Sequence, residues 1–417
     1  MAIIKPFRGY RPVPAKAAEI ASRPYDVLDS EEARIEAADA PLSFLHVVKP
    51  EIDLPREVSP YDPRVYLQGR DNFLRLLREG VFAQDSQDCL YLYRLEMDGR
   101  SQSGIVAAAA IDDYFDDVIK KHELTRPDKE EDRKNHIRIS NMNAEPVFFS
   151  YPAHAGLDAI VAGIEAGSPV YDFVAVDGVR HTFWVVSDTA TIEQIVAIFA
   201  HDIPATYVAD GHHRTAAGAL VGKERRDANP AHTGTEDYNY FLAVHFPDNQ
   251  LQIFDYNRLV RDLNGMTDAV FLERLAIAFD VEQQAGPYKP ARLHSFGMYL
   301  SGTWYALHAK PGTYDDSDPI GVLDVTILSE QVLKPLLAIT DLRRDKRIDF
   351  VGGIRGLDAL QKRVDTGEMR LAFALYPVTM QQLMDIAGSG AIMPPKTTWF
   401  EPKLRSGLVV HAIAPLL

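Results

Sequence analysis

The sequence predicts a mixed α/β fold of the α+β class, because strand-like segments alternate with helical segments of about ten residues. The alternation is clearest between residues 147 and 225. Two apolar runs, 89–97 and 104–111, flank Asp98-Gly99, a dipeptide that is typical of tight hairpin turns. A second hairpin is predicted for 241–246 and 251–256, around the turn residues 247–249.

The first ninety residues are rich in proline and predict extended segments with two helices between them. The helix at 30–38 opens with Ser30, a capping residue, and has acidic residues in its first turn. The helix at 65–79 has apolar residues at helical spacing and ends at Gly80. The highly charged stretch 112–143 is typical of a solvated helical region.

Periodicity alone predicts the remaining elements. The strands are placed at 147–151, 171–176, 182–186, 207–209, 296–307 (a pair) and 370–375. The helices are placed at 156–167, 192–201, 215–225, 267–279, 325–339 and 357–366.

A chain of 417 residues exceeds what one hydrophobic core usually serves, so two or three domains are expected. The sequence suggests an N-terminal mixed α/β lobe at 1–90 and a central domain at 91–262. A C-terminal α/β region follows at 263–417 and ends in the loop PPKTTWFEPK.

The composition, 46% apolar and 25% charged, is typical of a soluble globular protein. A formal charge of −15 argues against nucleic acid as a partner, because duplex binding depends on many Lys and Arg contacts. Cys89 is the only cysteine, which excludes a disulfide framework and fits a reducing compartment, with packing as its expected role. We therefore expect a cytoplasmic protein with no membrane partner. A homodimer is possible, and the sequence does not decide the oligomeric state.

The most informative segment is Tyr207–Ala217, in which an apolar strand breaks at Gly211 and leads through two histidines and an arginine into a helix. The N–H groups at a helix start attract anions. Arg214 can grip two phosphate oxygens, and Asp210 can hold Mg²⁺. This turn, with Gly211 and Thr215 at the helix start, is therefore predicted to bind a phosphate or nucleotide.

A structural interpretation of the same turn stays open. Asp210 could cap the helix, and His212 and His213 could pack or hydrogen-bond locally. The two histidines are adjacent, so they do not share a helical face as the i, i+4 histidines of zinc sites do.

A second motif, Lys120–Arg126, holds two lysines, a histidine, a glutamate, a threonine and an arginine. If it faces Asp210, Glu123 or His122 could take a proton from a substrate hydroxyl, while Lys121 and Arg126 hold phosphate oxygens. On a regular helix these side chains converge only if the segment bends near Pro127, and the sequence leaves that geometry undecided.

A third motif, 396–403, is aromatic and braced by prolines. One interpretation is a loop that delivers Lys396 and Thr397 to a phosphate or carboxylate. The alternative is a crossover that packs Trp399 and Phe400 into a core.

Four motifs in this order, SRPYDVLD, DDYFDDVIKKHELTRP, YVADGHHRTAAG and MPPKTTWFEPKLRSGL, resemble the domain-of-unknown-function 1015 family of bacteria and archaea. The D-G-H-H-R turn is in addition similar to the phosphate-binding turn of the ParB/sulfiredoxin superfamily, which includes kinases of free serine. The resemblance implies a ParB/sulfiredoxin-like fold for the central domain, with mixed regions on either side. Sulfinic acid reduction is disfavoured, because the turn carries histidines where sulfiredoxins carry cysteine.

The resemblance implies a nucleotide-dependent kinase that uses ATP or ADP with Mg²⁺ and phosphorylates the hydroxyl of a small metabolite such as L-serine. Two alternatives use the same scaffold, a non-catalytic nucleotide sensor and a phosphoesterase or nuclease-like hydrolase. The expected catalytic residues are Glu123, His122, His212 and His213. The expected phosphate and nucleotide ligands are Asp210, Gly211, Arg214, Thr215, Lys121, Arg126 and Lys396, with Asp210 also as the metal ligand.

Overall fold

The structure, a computed structural model, describes residues 1–416. Helices and strands are mixed along the chain, and most neighbouring strands pair antiparallel. The prediction of an α+β fold is therefore confirmed.

The strands are numbered in chain order. They are β1 (Ile4–Lys5), β2 (Tyr10–Pro12), β3 (Phe82–Gln84), β4 (Leu90–Met97), β5 (Arg100–Ala110), β6 (Ile119–Lys120), β7 (Met142–Asn143), β8 (Val147–Tyr151), β9 (Tyr171–Val174), β10 (Arg180–Val186), β11 (Thr206–Asp210), β12 (Tyr240–Pro247), β13 (Ile253–Phe254), β14 (Tyr256–Val260), β15 (Phe279–Gln284), β16 (Ser295–Leu300), β17 (Thr303–Ala309), β18 (Ile348–Gly352), β19 (Leu371–Leu375), β20 (Trp399–Phe400) and β21 (His411–Ala412).

The α-helices are numbered in the same way. They are α1 (Ala17–Ile20), α2 (Ser30–Ala37), α3 (Leu45–Val48), α4 (Pro63–Arg78), α5 (Asp112–Phe115), α6 (Pro127–Ser140), α7 (Ala155–Glu165), α8 (Thr189–Asp202), α9 (His212–Ala228), α10 (Asp268–Ala278), α11 (Asp324–Leu328), α12 (Gly356–Asp365) and α13 (Met380–Gly388).

The first compact unit comprises residues 1–251 and 402–416. Its main sheet has nine strands in the order β6-β11-β8-β12-β5-β4-β10-β9, with β1 added to β5. Two short sheets, β2-β3 and β7-β21, accompany it. β21 lies in the segment after residue 401 and pairs with β7, so this segment is part of the first unit.

The second compact unit comprises residues 252–401. It contains a six-stranded sheet in the order β15-β17-β16-β19-β14-β18, and the short pair β13-β20. The three regions expected from the sequence have other boundaries than these two units, and the division into three regions stays a prediction.

The two predicted hairpins have different outcomes. The first is confirmed, since β4 and β5 pair antiparallel around Asp98 and Gly99, both of which have positive φ, as this tight turn requires. The second is wrong. β12 pairs with β5 and β8, whereas β13 pairs with β20 and β14 with β18 and β19, because the chain passes into the second unit after residue 251.

Helix α9 packs closely on the main sheet of the first unit. Ala219 shares a buried apolar cluster with Val208 of β11 and Phe241 of β12. A Cβ at Gly222 would lie 2.2 Å from the carbonyl oxygen of Tyr238, so the absence of a side chain permits this approach. The start of α9 is therefore held at the end of β11.

Across residues 1–416, none of the helices combines the length and the apolar character that crossing a lipid bilayer requires.

Candidate functional site

The turn between β11 and α9 is built by a bulge and a glycine. The register of β11 against β8 shifts between Val208 and Asp210, and such bulges re-aim the side chains that follow them. Gly211 has a φ of 94°, which side-chain-bearing residues rarely adopt, and it forms the N-cap of α9. The chain thus reverses sharply, with Asp210 on one side of the turn and His212 on the other.

No side chain of the described residues caps the start of α9. The structural interpretation in which Asp210 caps this helix is therefore not what the structure shows. The first N–H groups of α9 stay available to an acceptor, and the helix dipole favours a negative charge there.

Arg214 is the centre of the site. Its side chain is 93% buried, since only 7% is exposed. One guanidinium nitrogen donates to the carbonyl oxygen of Pro146 at 2.6 Å, and the other lies 3.3 Å from Asp210 Oδ2 and 3.5 Å from Asp26 Oδ2. Its Nε has no hydrogen-bond partner among residues 1–416. A Cβ on Gly211 would lie 3.1 Å from this Nε, so Arg214 packs directly against the turn.

Lys403 brings a second cation to Asp210, with its Nζ 3.6 Å from Oδ2. Burial by itself would raise the pKa of Asp210, but Lys403 and Arg214 together outweigh burial and hold that pKa below its usual value. Asp210 is therefore an anion at neutral pH. The contact joins the closing motif of the sequence to the D-G-H-H-R turn within the first unit.

His122 and His212 pack edge to face, with ring centroids 4.4 Å apart. Both are buried, at 2% and 9% exposure, and burial lowers the pKa of His122 to about 4 and that of His212 well below the usual value. Both rings are therefore neutral at pH 7. The Nε2 of His212 has no hydrogen-bond partner in the described part of the chain.

His213 has a fixed tautomer. Its Nε2 lies 3.0 Å from the backbone N of Arg126 and accepts that N–H, so the ring proton is on Nδ1. Its pKa is lowered by burial, against the opposing influence of Asp26. This bond ties the second motif to the start of α9, and it occupies the nitrogen that would otherwise serve as a base.

The second motif is irregular between β6 and α6, which begins at Pro127, so its side chains do not lie on one continuous helix. His122 is the residue of this motif that reaches the D-G-H-H-R turn with its ring. Glu123, half-buried, follows it in the same segment. The side chain of Arg126 points to Asp128, at 2.8 Å.

Three further predicted ligands have well-defined contacts. The Nζ of Lys121 lies 3.1 Å from the carbonyl oxygen of Tyr114 and 4.3 Å from the centroid of its ring. The hydroxyl of Thr215 donates to the carbonyl oxygen of Gly211 at 3.0 Å. Lys396 belongs to the second unit, where its carbonyl oxygen accepts from Arg258 at 2.9 Å and its Nζ lies 5.7 Å from the ring centroid of Tyr256.

Several residues at the site were not among those predicted. Glu145 is buried and accepts from the backbone N of Tyr25 at 3.0 Å. Arg133 lies 3.4 Å from Glu145 Oε2 and 2.8 Å from Asp132 Oδ2, and its guanidinium stacks on the ring of Tyr25 at 3.9 Å. Asp26, next in the chain, contacts Arg214.

One sequence signal could have found part of this group. Tyr25 and Asp26 belong to the SRPYDVLD motif, which carried the family resemblance but received no chemical role. Arg133 lies in the charged stretch that predicted a solvated helix, yet α6 buries Asp132, Arg133 and His136. Hydropathy does not distinguish a charge paired inside the protein from a charge in water.

Mg²⁺ fits this site only together with a bound phosphate compound. Within the described residues no group of three or more His, Cys, Asp or Glu side chains is arranged to hold a metal ion. Mg²⁺ is commonly bound through one or two carboxylates together with substrate phosphates. Asp210 therefore fits as a single protein ligand, provided that phosphate oxygens supply the rest of the coordination.

One family of known sequences matches most of the chain. The family described as "Protein of unknown function (DUF1015)" matches residues 4–326. A comparison with curated proteins gives no match.

Three solved structures are remotely similar to the chain. A conserved hypothetical protein from Pyrococcus furiosus is 14% identical, with 73% of this chain and 95% of that chain covered and a TM-score of 0.34. A variant of a free serine kinase in complex with AMP is 13% identical, with 73% and 91% covered and a TM-score of 0.35. C-terminally truncated SbnI from Staphylococcus aureus is 12% identical, with 71% and 82% covered and a TM-score of 0.36.

At these identities and TM-scores the similar structures assign neither an activity nor a ligand to this chain. The family match has a different weight, because it extends over most of the sequence and includes Asp26, His122, Arg133, Glu145 and the D-G-H-H-R turn. The chain belongs to the DUF1015 family.

Proposed function

We propose that the first unit binds a nucleotide, ATP or ADP, at the start of α9 and transfers its terminal phosphoryl group to the hydroxyl of a small metabolite, with free serine as the favoured acceptor. The observation that carries the proposal is the convergence of Arg214 and Lys403 on Asp210, beside an uncapped helix start. Two cations and open N–H groups are what phosphate oxygens require.

In the proposed reaction the acceptor hydroxyl oxygen attacks the terminal phosphorus, and the bond from that phosphorus to its bridging oxygen breaks. Charge on the transferred group is met by Arg214, Lys403 and the N–H groups of α9. Mg²⁺ on Asp210 would neutralise further phosphate charge. The hydroxyl proton would pass to Glu123 or to His212, whose Nε2 has no hydrogen-bond partner among the described residues.

A second function is favoured by one specific observation. The pKa of His122 is about 4 and that of His212 is also strongly lowered, whereas a general base works best with a pKa near the operating pH. Weak bases at this position suit a sensor, which binds a nucleotide and does not turn it over. In that case Glu123 would also have no role in proton transfer.

The first test is the thermal midpoint of the purified protein with ATP, ADP or AMP and Mg²⁺, each with and without L-serine. A ligand that binds the folded state raises this midpoint by mass action. A shift with ATP or ADP that serine enlarges, together with phosphoserine among the products, supports the kinase. A shift without any product supports the sensor, and loss of nucleotide without phosphoserine indicates a hydrolase.

Arg214→Lys tests the site itself, because lysine keeps the charge beside Asp26 and Asp210 but loses the planar fork. We expect nucleotide affinity to fall by about tenfold or more, an order of magnitude typical for loss of a bidentate contact. Lys223→Gln is the matched control, since Lys223 lies on the same helix, is exposed and pairs only on the surface with Asp227. No nucleotide shift in the parent protein, or equal affinities of parent and Arg214→Lys, would contradict the proposal.

A further inference from the structure

The closing segment, residues 402–406, is anchored in the first unit by Arg405. The Nη2 of Arg405 bonds Asp177 Oδ2, and its Nε donates to His181 Nε2 at 3.4 Å. The backbone N of Arg405 donates to the hydroxyl of Tyr93 at 3.2 Å. Arg405 therefore fastens the closing segment to β4, to β10 and to the turn between β9 and β10 that carries Asp177.

The histidine of this anchor is a neutral acceptor. Burial and the nearby Arg405 lower the pKa of His181 to about 3, so its ring is neutral at pH 7. Because Nε2 accepts from Arg405, the ring proton is on Nδ1, which donates to the hydroxyl of Tyr93 at 2.7 Å. Among residues 1–416, the carboxylate that pairs with Arg405 is therefore Asp177.

The two members of this ion pair differ in exposure. The side chain of Arg405 is 6% exposed, whereas that of Asp177 is 45% exposed. A buried guanidinium that loses its carboxylate is strongly disfavoured, because its desolvation is no longer offset. Removal of the charge on Asp177 should therefore drive the Arg405 side chain out of its buried position.

The chain that follows Arg405 has anchors of its own. Ser406 exchanges two backbone hydrogen bonds with Ser22, at 2.9 and 3.1 Å, and its hydroxyl donates to Glu145 at 3.2 Å. These bonds do not involve the side chain of Arg405. Lys403 lies on the other side of Arg405, so release of Arg405 affects Lys403 while the chain from Ser406 onward stays in place.

The order of the main sheet shows what the closing segment joins. β11, which carries Asp210, is second from one end of the sheet, and β10, which carries His181, is second from the other end. Four strands, β8, β12, β5 and β4, lie between them. Since Lys403 contacts Asp210 and Arg405 contacts His181, the closing segment links the two ends of the sheet.

We propose that Asp177 and Arg405 are positioning residues, which hold Lys403 against Asp210 at the D-G-H-H-R turn. Without the pair, Lys403 withdraws, and Asp210 loses one of the two cations that keep its pKa low. A half-exposed carboxylate near one end of the sheet thus controls the charge at a site near the other end. Only the effect on nucleotide binding rests on the proposed function.

The test measures how fast single lysines of the full chain react with acetic anhydride in the absence of nucleotide. Mass spectrometry of the digested protein gives the rate for each lysine. Lys403, 16% exposed, should react about fivefold faster or more in Asp177→Asn than in the parent, because local opening exposes its Nζ. Lys134 on α6, with 15% exposure, is the internal reference and should keep its rate.

Asp172→Asn is the matched control variant. Asp172 lies on the same hairpin, but it pairs with Arg180 at 2.6 Å and not with the closing segment. This variant should leave the reaction rate of Lys403 as it is in the parent. A faster reaction of Lys403 in Asp172→Asn as well would show that any disturbance of the hairpin releases it, which contradicts a specific role for Asp177.

A second variant serves if Asp177→Asn does not fold. Arg405→Lys keeps the charge but loses the planar fork and the bond to His181, so Lys403 should again react faster. Unchanged reactivity of Lys403 in a folded anchor variant overturns the proposal. Equal acceleration of Lys403 and Lys134 also overturns it, because that result indicates general destabilisation.

A double variant connects the anchor to nucleotide binding. Asp177→Asn and Lys403→Met should each weaken nucleotide binding, and the two losses should not add, because both variants remove the same contact with Asp210. Additive losses would contradict the proposed route through Lys403. A protein in which Asp177→Asn accelerates Lys403 but which binds no nucleotide keeps this inference and loses the proposed function.

Discussion

His122 and His212 lie edge to face with their ring centroids 4.4 Å apart, which brings two motifs separated by ninety positions of sequence into one site. From sequence alone the meeting of the H-E-L-T-R and D-G-H-H-R motifs was undecided. The contact shows that the H-E-L-T-R motif reaches the turn through a buried histidine. Glu123 is the next residue in the chain after that histidine.

Gly211→Ala should disable the site through Arg214. The φ of 94° costs an L-residue about 1–2 kcal/mol of folding free energy, and the new Cβ would lie 3.1 Å from Arg214 Nε. Gly234→Ala is the control, because its φ of 92° imposes the same backbone cost with nothing within 4 Å of the added Cβ. We expect similar thermal midpoints for both variants and a loss of nucleotide affinity for Gly211→Ala alone. Equal affinities would mean that Arg214 does not depend on this glycine.

His122 should make the protein acid-sensitive. Its pKa is about 4 in the folded protein and about 6.5 when unfolded, so the unfolded chain binds the extra proton first as the pH falls. The contribution of the neutral His122 ring to the free energy of unfolding is fully present above pH 6.5. It decreases between pH 6.5 and 4, by about 3 kcal/mol for a pKa shift of this size. Urea unfolding at several pH values measures it. His122→Gln should flatten this part of the curve, and an unchanged slope would show that His122 titrates normally.

Lys403→Met should raise the pKa of Asp210. Without this cation, burial has a larger share in setting the pKa of Asp210, so that pKa rises toward or above its usual value. As the pH is lowered, the nucleotide affinity of the variant should therefore begin to decrease at a higher pH than that of the parent protein. Lys223→Met, an exposed lysine on α9, should leave this profile where it is. Identical profiles for the parent and Lys403→Met would exclude a role for Lys403.

Cys89 should be inert in the folded protein. It is 2% exposed, and burial raises the pKa of its thiol to about 11, so little thiolate forms at pH 8. A thiol reagent should modify it slowly before unfolding and rapidly in guanidinium chloride. Cys89→Ser should keep nucleotide binding, whereas loss of binding in a folded Cys89→Ser protein would indicate a chemical role for this residue.

The elements with a strong local signal were predictable. Asp98-Gly99 specified its hairpin, and α4 followed its apolar spacing to within a few residues, because turn chemistry and periodicity act over short distances. The return of residues 402–416 to the first unit has no local signal. Neither does the pairing of β14 with strands that lie far along the chain, which is why the second hairpin was wrong.

The candidate site was predictable where a motif concentrates reactive side chains. Asp210, His212 and Arg214 were found because a strand, a glycine and a helix start are visible in one short segment. Arg133 and Glu145 were missed, because each is an ordinary charged residue until the fold buries it against a partner. Lys403 was quoted in the closing motif, but its partner Asp210 is known only from the folded chain.

The return of the chain after residue 401 makes the second unit an insertion within the first. After the ribosome has synthesised the D-G-H-H-R turn, it must still synthesise all of the second unit before Lys403 can reach Asp210. During that interval Asp210 has Arg214 as its cationic neighbour, and the strand pair β7-β21 is missing. A nascent chain stalled in the second unit would therefore contain the recognisable turn but not the assembled site.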